Sequence, residues 1–152
     1  MKVANGCYHF RLRHQEHPAF VSLLRLFPVL PPDFQPLSKS ADPAETEADQ
    51  KLLEEAMRSQ KAGLKSEVEK LLQDGDRLRK TPEGWELALE GPQLEWFLQV
   101  VNEIRVGSWR HLGSPDPLRH LRIEINETSL HHLWAMGMCD RIQSAVLEAL
   151  RG

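Results

Sequence analysis

Cysteine is scarce in this chain. The 152 residues hold two, Cys7 and Cys139, and neither stands in a CxxC or other metal-type spacing. A disulfide framework and a cysteine-based metal centre are therefore not expected, and the pattern predicts two reduced thiols. Long apolar runs are missing as well. No stretch approaches the roughly 20 residues of a membrane span, and the first residues have no apolar core of the signal-peptide kind. Both absences predict a cytoplasmic protein with no membrane partner. An excess of basic charge is missing too: 19 Lys and Arg face 22 Asp and Glu, for a net charge of −3. The basic clusters, Arg11 with Arg13 and Arg77-Leu78-Arg79-Lys80, are short, so no field awaits nucleic acid.

The motifs of common chemistries are equally absent from the sequence. It has no HExxH or HxH pair, no GxSxG, no SxxK, no catalytic-cysteine signature, no Walker loop and no GxGxxG. No metal and no cofactor is expected. His131 and His132 are adjacent, so on a helix their side chains diverge by about 100° and share a metal poorly. Internal repeats and low-complexity tracts are not found.

What is present is a mixed pattern of short strands and long helices. Tyr8, Phe10 and Leu12 alternate with His9 and Arg11, the period of a half-buried strand. His17-Pro18 opens a short helix whose inner side holds Phe20, Leu23, Leu24 and Phe27. Prolines 28, 31, 32 and 36 preclude regular structure over residues 28–41, but Leu30, Phe34 and Leu37 predict a segment wrapped on the body. Asp42-Pro43-Ala44-Glu45 is a capping-box start for a helix running to Gly75, with a bend near Ser59–Gly63 or a projecting first half. Pro82-Glu83-Gly84 separates Leu78–Thr81 from Trp85–Leu89 as a hairpin turn. Gly91-Pro92 starts the next helix, and Gly113-Ser114-Pro115-Asp116-Pro117 stops it. Leu121, Ile123 and Ile125 alternate briefly, compatible with an extended segment or a helical turn. Candidate caps at Asn126–Ser129 open a last helix reaching about Leu150. The expected fold is a single α+β domain over residues 1–152, mainly helical. It has about four helices and a small antiparallel sheet of two or three strands.

One charged residue marks a site. Between Pro92 and Leu112, Arg105 falls among Leu94, Phe97, Leu98, Val101, Ile104 and Leu112 at helical spacing. A guanidinium cannot shed its charge, so burial there requires a counter-charge, carbonyls or an anionic ligand. Asp116, Glu86 and Glu127 are the internal partners considered. The two readings are an anion clamp, with Asn102, His111 and His131 as polar helpers, and a structural ion pair joining the last two helices. His131 projects from the apolar side of its helix and is expected to be buried. Trp96 and Val100 widen the stripe of one helix, and Leu130 and Leu133 that of the other. If uncovered, they form a partner patch.

The two C-terminal helices resemble a known family. Asn102-Glu103-Ile104-Arg105-Val106, the Leu112-Gly113 ending, and Ile142-Gln143-Ser144-Ala145-Val146-Leu147-Glu148-Ala149-Leu150 carry the likeness, mainly over residues 94–113 and 130–150. They resemble the signature blocks of an uncharacterised bacterial group, the domain-of-unknown-function family two-thousand-and-seventeen. Trp109 stands where that group often has glycine, and His111 where it has arginine. The resemblance implies no assigned activity and a connection to protein quality control. The function expected is a non-catalytic, adaptor-like interaction or regulatory module with a protein partner or a second copy of the chain. The alternative is a small-anion-binding or hydrolytic enzyme centred on Arg105.

Overall fold

The computed structural model describes residues 2–4, 6–29, 43–115 and 124–151. Among them the chain forms strands β1 (Lys2–Ala4) and β2 (Cys7–Arg13), then helices α1 (Glu16–Arg25) and α2 (Pro43–Gln73). Strands β3 (Leu78–Thr81) and β4 (Gly84–Glu90) follow, and helices α3 (Gly91–His111) and α4 (Glu127–Leu150) close the order. The fold is α+β and mainly helical, as the periodicities predict. Most of the proline-rich segment expected to wrap the body, the Asp42 cap, Asp116, His120, Leu121 and Ile123 lie outside the described residues.

The sheet is antiparallel throughout, in the order β1-β2-β4-β3. The three strands expected from the sequence are joined by β1, a three-residue edge. Register places Tyr8 opposite Leu89, Phe10 opposite Leu87 and Leu12 opposite Trp85, and Leu78 opposite Leu87. Paired residues share a face, so this apolar face turns toward the helices. The other face carries His9, Arg11, Arg13, Arg79 and Glu86. There Arg79 Nη2 donates to Glu86 Oε1 at 3.0 Å, and His9 Nδ1 lies 3.2 Å from the same oxygen. Glu86 is thus committed on the outer face and is not a partner for Arg105.

Two turns set this register. Thr81 pairs with Gly84 across the two-residue turn Pro82-Glu83. At Gly84 a Cβ would overlap the Leu12 carbonyl oxygen and stand 3.1 Å from the Arg13 Cα, so only glycine lets β2 and β4 approach here. At the other end of β4, Glu90 caps α3 in a reciprocal box with Gln93, whose Oε1 accepts from the Glu90 backbone N–H at 2.9 Å. Pro92 sits in the first turn, where a missing N–H costs nothing.

Helix α3 is the centre of the molecule. It touches β2, β4, α1, α2 and α4. Accordingly it buries a broad arc that includes Phe97, Val100, Val101, Ile104 and Ser108. Val100 is fully buried, so it is core and not part of an exposed patch. Truncating Phe97, 1% exposed, would cost about 3–5 kcal/mol by emptying the core. Helix α4 opens on Asn126, whose side chain accepts from the Ser129 N–H at 2.9 Å while Ser129 Oγ accepts from the Asn126 N–H. It buries Ala135, Cys139 and Val146 against α3 and leaves Leu130, Leu133, Leu147 and Leu150 exposed. Helix α2 is one element of 31 residues, about 46 Å at 1.5 Å per residue, with no break at Ser59–Gly63. Its contacts with the core begin at the partly buried Leu64 and continue through Val68 and Leu71, and none of its described side chains before Val68 is fully buried.

Candidate ligand site

The residues singled out from the sequence do not converge. Arg105 Nη1 donates to Asp140 Oδ1 at 3.0 Å, across the α3–α4 seam. The arginine side chain is 42% exposed and the aspartate 56%, so the expected burial of Arg105 is overturned. The reason is its place at the edge of the buried arc: α4 covers Ile104 completely, while the long arginine stem reaches past the seam to water. The counter-charge is Asp140, not Asp116, Glu86 or Glu127. One turn back, Gln143 Nε2 donates to Asn102 Oδ1 at 3.4 Å. The pairs Asn102–Gln143, Arg105–Asp140 and His111–His132 run in opposite directions along the two helices, which are therefore antiparallel. His111 lies six residues beyond Arg105, about 9 Å along the axis, too far for the two to hold one small anion.

At that far end the histidines form a cluster of their own. The rings of His111 and His132 stack at 4.6 Å and 5°, and His111 Nε2 donates to the Val29 carbonyl at 3.2 Å. His131 is exposed and lies against Trp134, with ring centroids 5.7 Å apart. The partly buried histidine is thus His132, whose Nδ1 is enclosed without a hydrogen-bond partner among the described residues. Burial first, then the neighbouring His111 and His131, hold His132 below its ordinary pKa. Among the described residues no group of three His, Cys, Asp or Glu is placed to hold a metal. Cys139 is buried, and burial first, then Asp140, push its thiol up to about 12 against the opposing pull of Arg105. A thiol held there is not a nucleophile at neutral pH.

A different place in the fold has the form of a binding site. Between the inner face of β2, helix α1 and helix α4 lies a cavity of about 180 Å³. Its walls are apolar: Phe10, Phe20, Leu87, Phe97, Met138 and Ile142 contribute to them. Strand alternation delivers Phe10 and Leu12, the inner side of α1 delivers Phe20, and the flank of α4 delivers Met138, Ile142 and Ala145. The charged residues among its lining are Arg11, Glu16 and Arg141, of which Arg11 belongs to the outward-facing set of β2 by its register with Glu86. Glu16 is engaged: it accepts from the Arg13 backbone N–H at 3.0 Å and lies 3.7 Å from Arg13 Nε. Arg11 and Arg141 are exposed and have no hydrogen bond or ion pair among the described residues. A wider polar cleft of about 480 Å³ lies beside the Pro82–Gly84 turn, lined by Arg11, Arg13 and Glu86 of the outer sheet face together with Leu12 and Glu16. Concave apolar space with a few polar groups at its edge is the usual form of a ligand pocket.

The sequence carries a faint sign of this site. The alternation of Tyr8, Phe10 and Leu12 marks one wall, but nothing local to Met138 and Ile142 links them to it. The cavity comes into being only when β2 and α4 are packed together. No family model matches the chain, and neither a curated protein nor a solved structure matches it significantly. Among the described residues, no helix is long and apolar enough to cross a membrane.

Proposed function

We propose that this protein is a non-catalytic, cytoplasmic interaction module that takes up a segment of a partner protein in the cavity between β2, α1 and α4. The observation that carries the reading is the cavity itself: an apolar hollow of about 180 Å³, with exposed Arg141 beside it, which has no hydrogen bond or ion pair among the described residues. The side chains that line it include no nucleophile, and its one carboxylate, Glu16, is tied to Arg13. Such a lining suits recognition better than bond-breaking. An adaptor in protein quality control, which the family resemblance implies, would need such a recognition surface. Arg105 has its counter-charge in Asp140, which removes the main support for an anion-centred enzyme at that position. A second copy of the chain is one form the partner could take, and mass in solution reports it.

The test is site-specific photo-crosslinking in extract of the source cells. One protein carries the crosslinker in place of Ala145 at the cavity, another in place of Arg79 on the outer sheet face. A peptide of a defined partner, attached from position 145 and not from position 79, is the expected result. Equal labelling from both positions, or no protein product from position 145, overturns the proposal.

A further inference from the structure

Helix α2 carries a leucine that its own fold does not use. Leu52 is 66% exposed, on the part of the helix that precedes the contacts with the core. One turn to either side lie Ala48 and Ala56, both exposed, so no longer side chain shields it there. A leucine set between two alanines projects from its helix as a knob. Asp49 and Glu55 flank it three residues away on either side, exposed and with no ion pair among the described residues. This arm therefore presents one apolar group with negative charge around it.

The cavity between β2, α1 and α4 has the complementary character. An apolar protein cavity of about 150 Å³ holds one benzene-sized group, so about 180 Å³ has room for one leucine side chain. Phe10, Phe20, Phe97 and Ile142 are among its walls, and a charged or amide side chain set among them would lose its hydration uncompensated. Arg141 stands about one turn from both Met138 and Ala145, on the face of α4 that lines the hollow. It is exposed and unpaired among the described residues, whereas Glu16 is already engaged by Arg13. Leu52 does not fill the cavity of its own chain, being exposed and absent from its lining. A second copy can supply it.

Resting on the proposed function, we infer that the segment taken up belongs to a second copy of this chain: Leu52 of one copy enters the cavity of another, where Arg141 pairs with Asp49 or Glu55. The contact joins two different surfaces, and every copy carries both.

The test is self-association of the full chain, followed by sedimentation equilibrium. The mass is expected to rise above that of one chain with concentration. Leu52→Asp removes the knob and Ala145→Phe fills the hollow, and each should weaken association at least about tenfold, the scale of one buried leucine. Both positions are exposed, so both variants should fold as the parent does, which circular dichroism checks. Each variant keeps the surface that the other has lost, so an equimolar mixture of the two should associate again. Arg141→Glu should weaken association too, and Asp49→Lys with Glu55→Lys should restore it in that background.

A chain that stays single up to about 1 mM overturns the inference. So does association that survives Leu52→Asp, Ala145→Phe or Arg141→Glu, or a mixture of the first two that does not recover. If crosslinking from position 145 captures a different protein while the chain stays single, the interaction module stands and the self-association inference falls. If it captures no protein, both fall.

Discussion

Removing the Arg105 charge should barely change stability, and the geometry says by how much. Arg105 and Asp140 meet through one contact of 3.0 Å with side chains 42% and 56% exposed. Two unit charges about 4 Å apart attract by about 1 kcal/mol in bulk water and about 4 kcal/mol at the effective dielectric near a protein surface. Ordering two long side chains and stripping part of their water offset most of that, and exposed pairs retain about 0.2–1 kcal/mol. A guanidinium buried among Phe97, Val101 and Ile104 would behave otherwise, with a loss of about 3–5 kcal/mol on removal of one partner. The assay is a double-mutant cycle of Arg105→Ala and Asp140→Ala by urea unfolding, which separates the pair from packing lost with the arginine stem. The expected coupling is about 0.5 kcal/mol, and it should fade at about 1 M salt, where screening reaches within about 3 Å. A coupling above about 2 kcal/mol that salt leaves intact would refute the reasoning and restore Arg105 as a buried charge.

Other substitutions read other parts of the fold. Gly84→Ala should destabilise by about 1–3 kcal/mol, because the new methyl collides with the Leu12 carbonyl; a change within about 0.5 kcal/mol would show that β2 can move aside. Ser108 is fully buried, and its hydroxyl has no hydrogen-bond partner among the described residues, so Ser108→Ala should be neutral or stabilise by up to about 1 kcal/mol. A loss of about 2 kcal/mol or more on thermal or urea unfolding would reveal a partner for that hydroxyl. Burial holds His17 and His132 below the ordinary value of 6.5, so the unfolded chain binds more protons than the folded one just below that pH. Stability should accordingly fall as pH drops below 6.5 and level off beneath the folded pKa values, and His132→Gln should flatten the slope. Glu103, raised by burial against the pull of Lys61, acts in the opposite direction nearer its ordinary value of 4.5. Urea midpoints measured from about pH 8 to about pH 5 check the sign, and a midpoint that rises on acidification contradicts it.

How much was legible in the sequence depended on whether a signal was local. The alternation of Tyr8, Phe10 and Leu12, the Pro82-Glu83-Gly84 turn and the Gly91-Pro92 start each rest on one segment's own chemistry, and β2, the β3–β4 hairpin and α3 appear at those places. Strand β1 had no such signal, since three residues carry no period. The first half of α2 keeps its helix through propensity and local pairing, although its described side chains stay largely uncovered. Helical periodicity set Arg105 among the apolar residues of α3, but it could not say where the buried arc ends, and Arg105 lies beyond that end. The end is set by how far α4 reaches over α3. The same tertiary fact buries Val100, leaves Leu130 and Leu133 outside, and puts His132 rather than His131 in the seam. The cavity was least legible of all, because its walls join Phe10 to Ile142 across 132 positions of sequence.

The most direct test of the cavity is methyl NMR of the protein titrated with the partner peptide that crosslinking from position 145 identifies. Met138 and Ile142 line the hollow, while Leu130 and Leu147 lie on the outer face of the same helix. Shifts confined to the methyls of Met138 and Ile142, lost in Ala145→Phe, are the predicted result. Shifts at Leu130 and Leu147 with the cavity methyls unmoved would place recognition on the outer face of α4 and contradict the account.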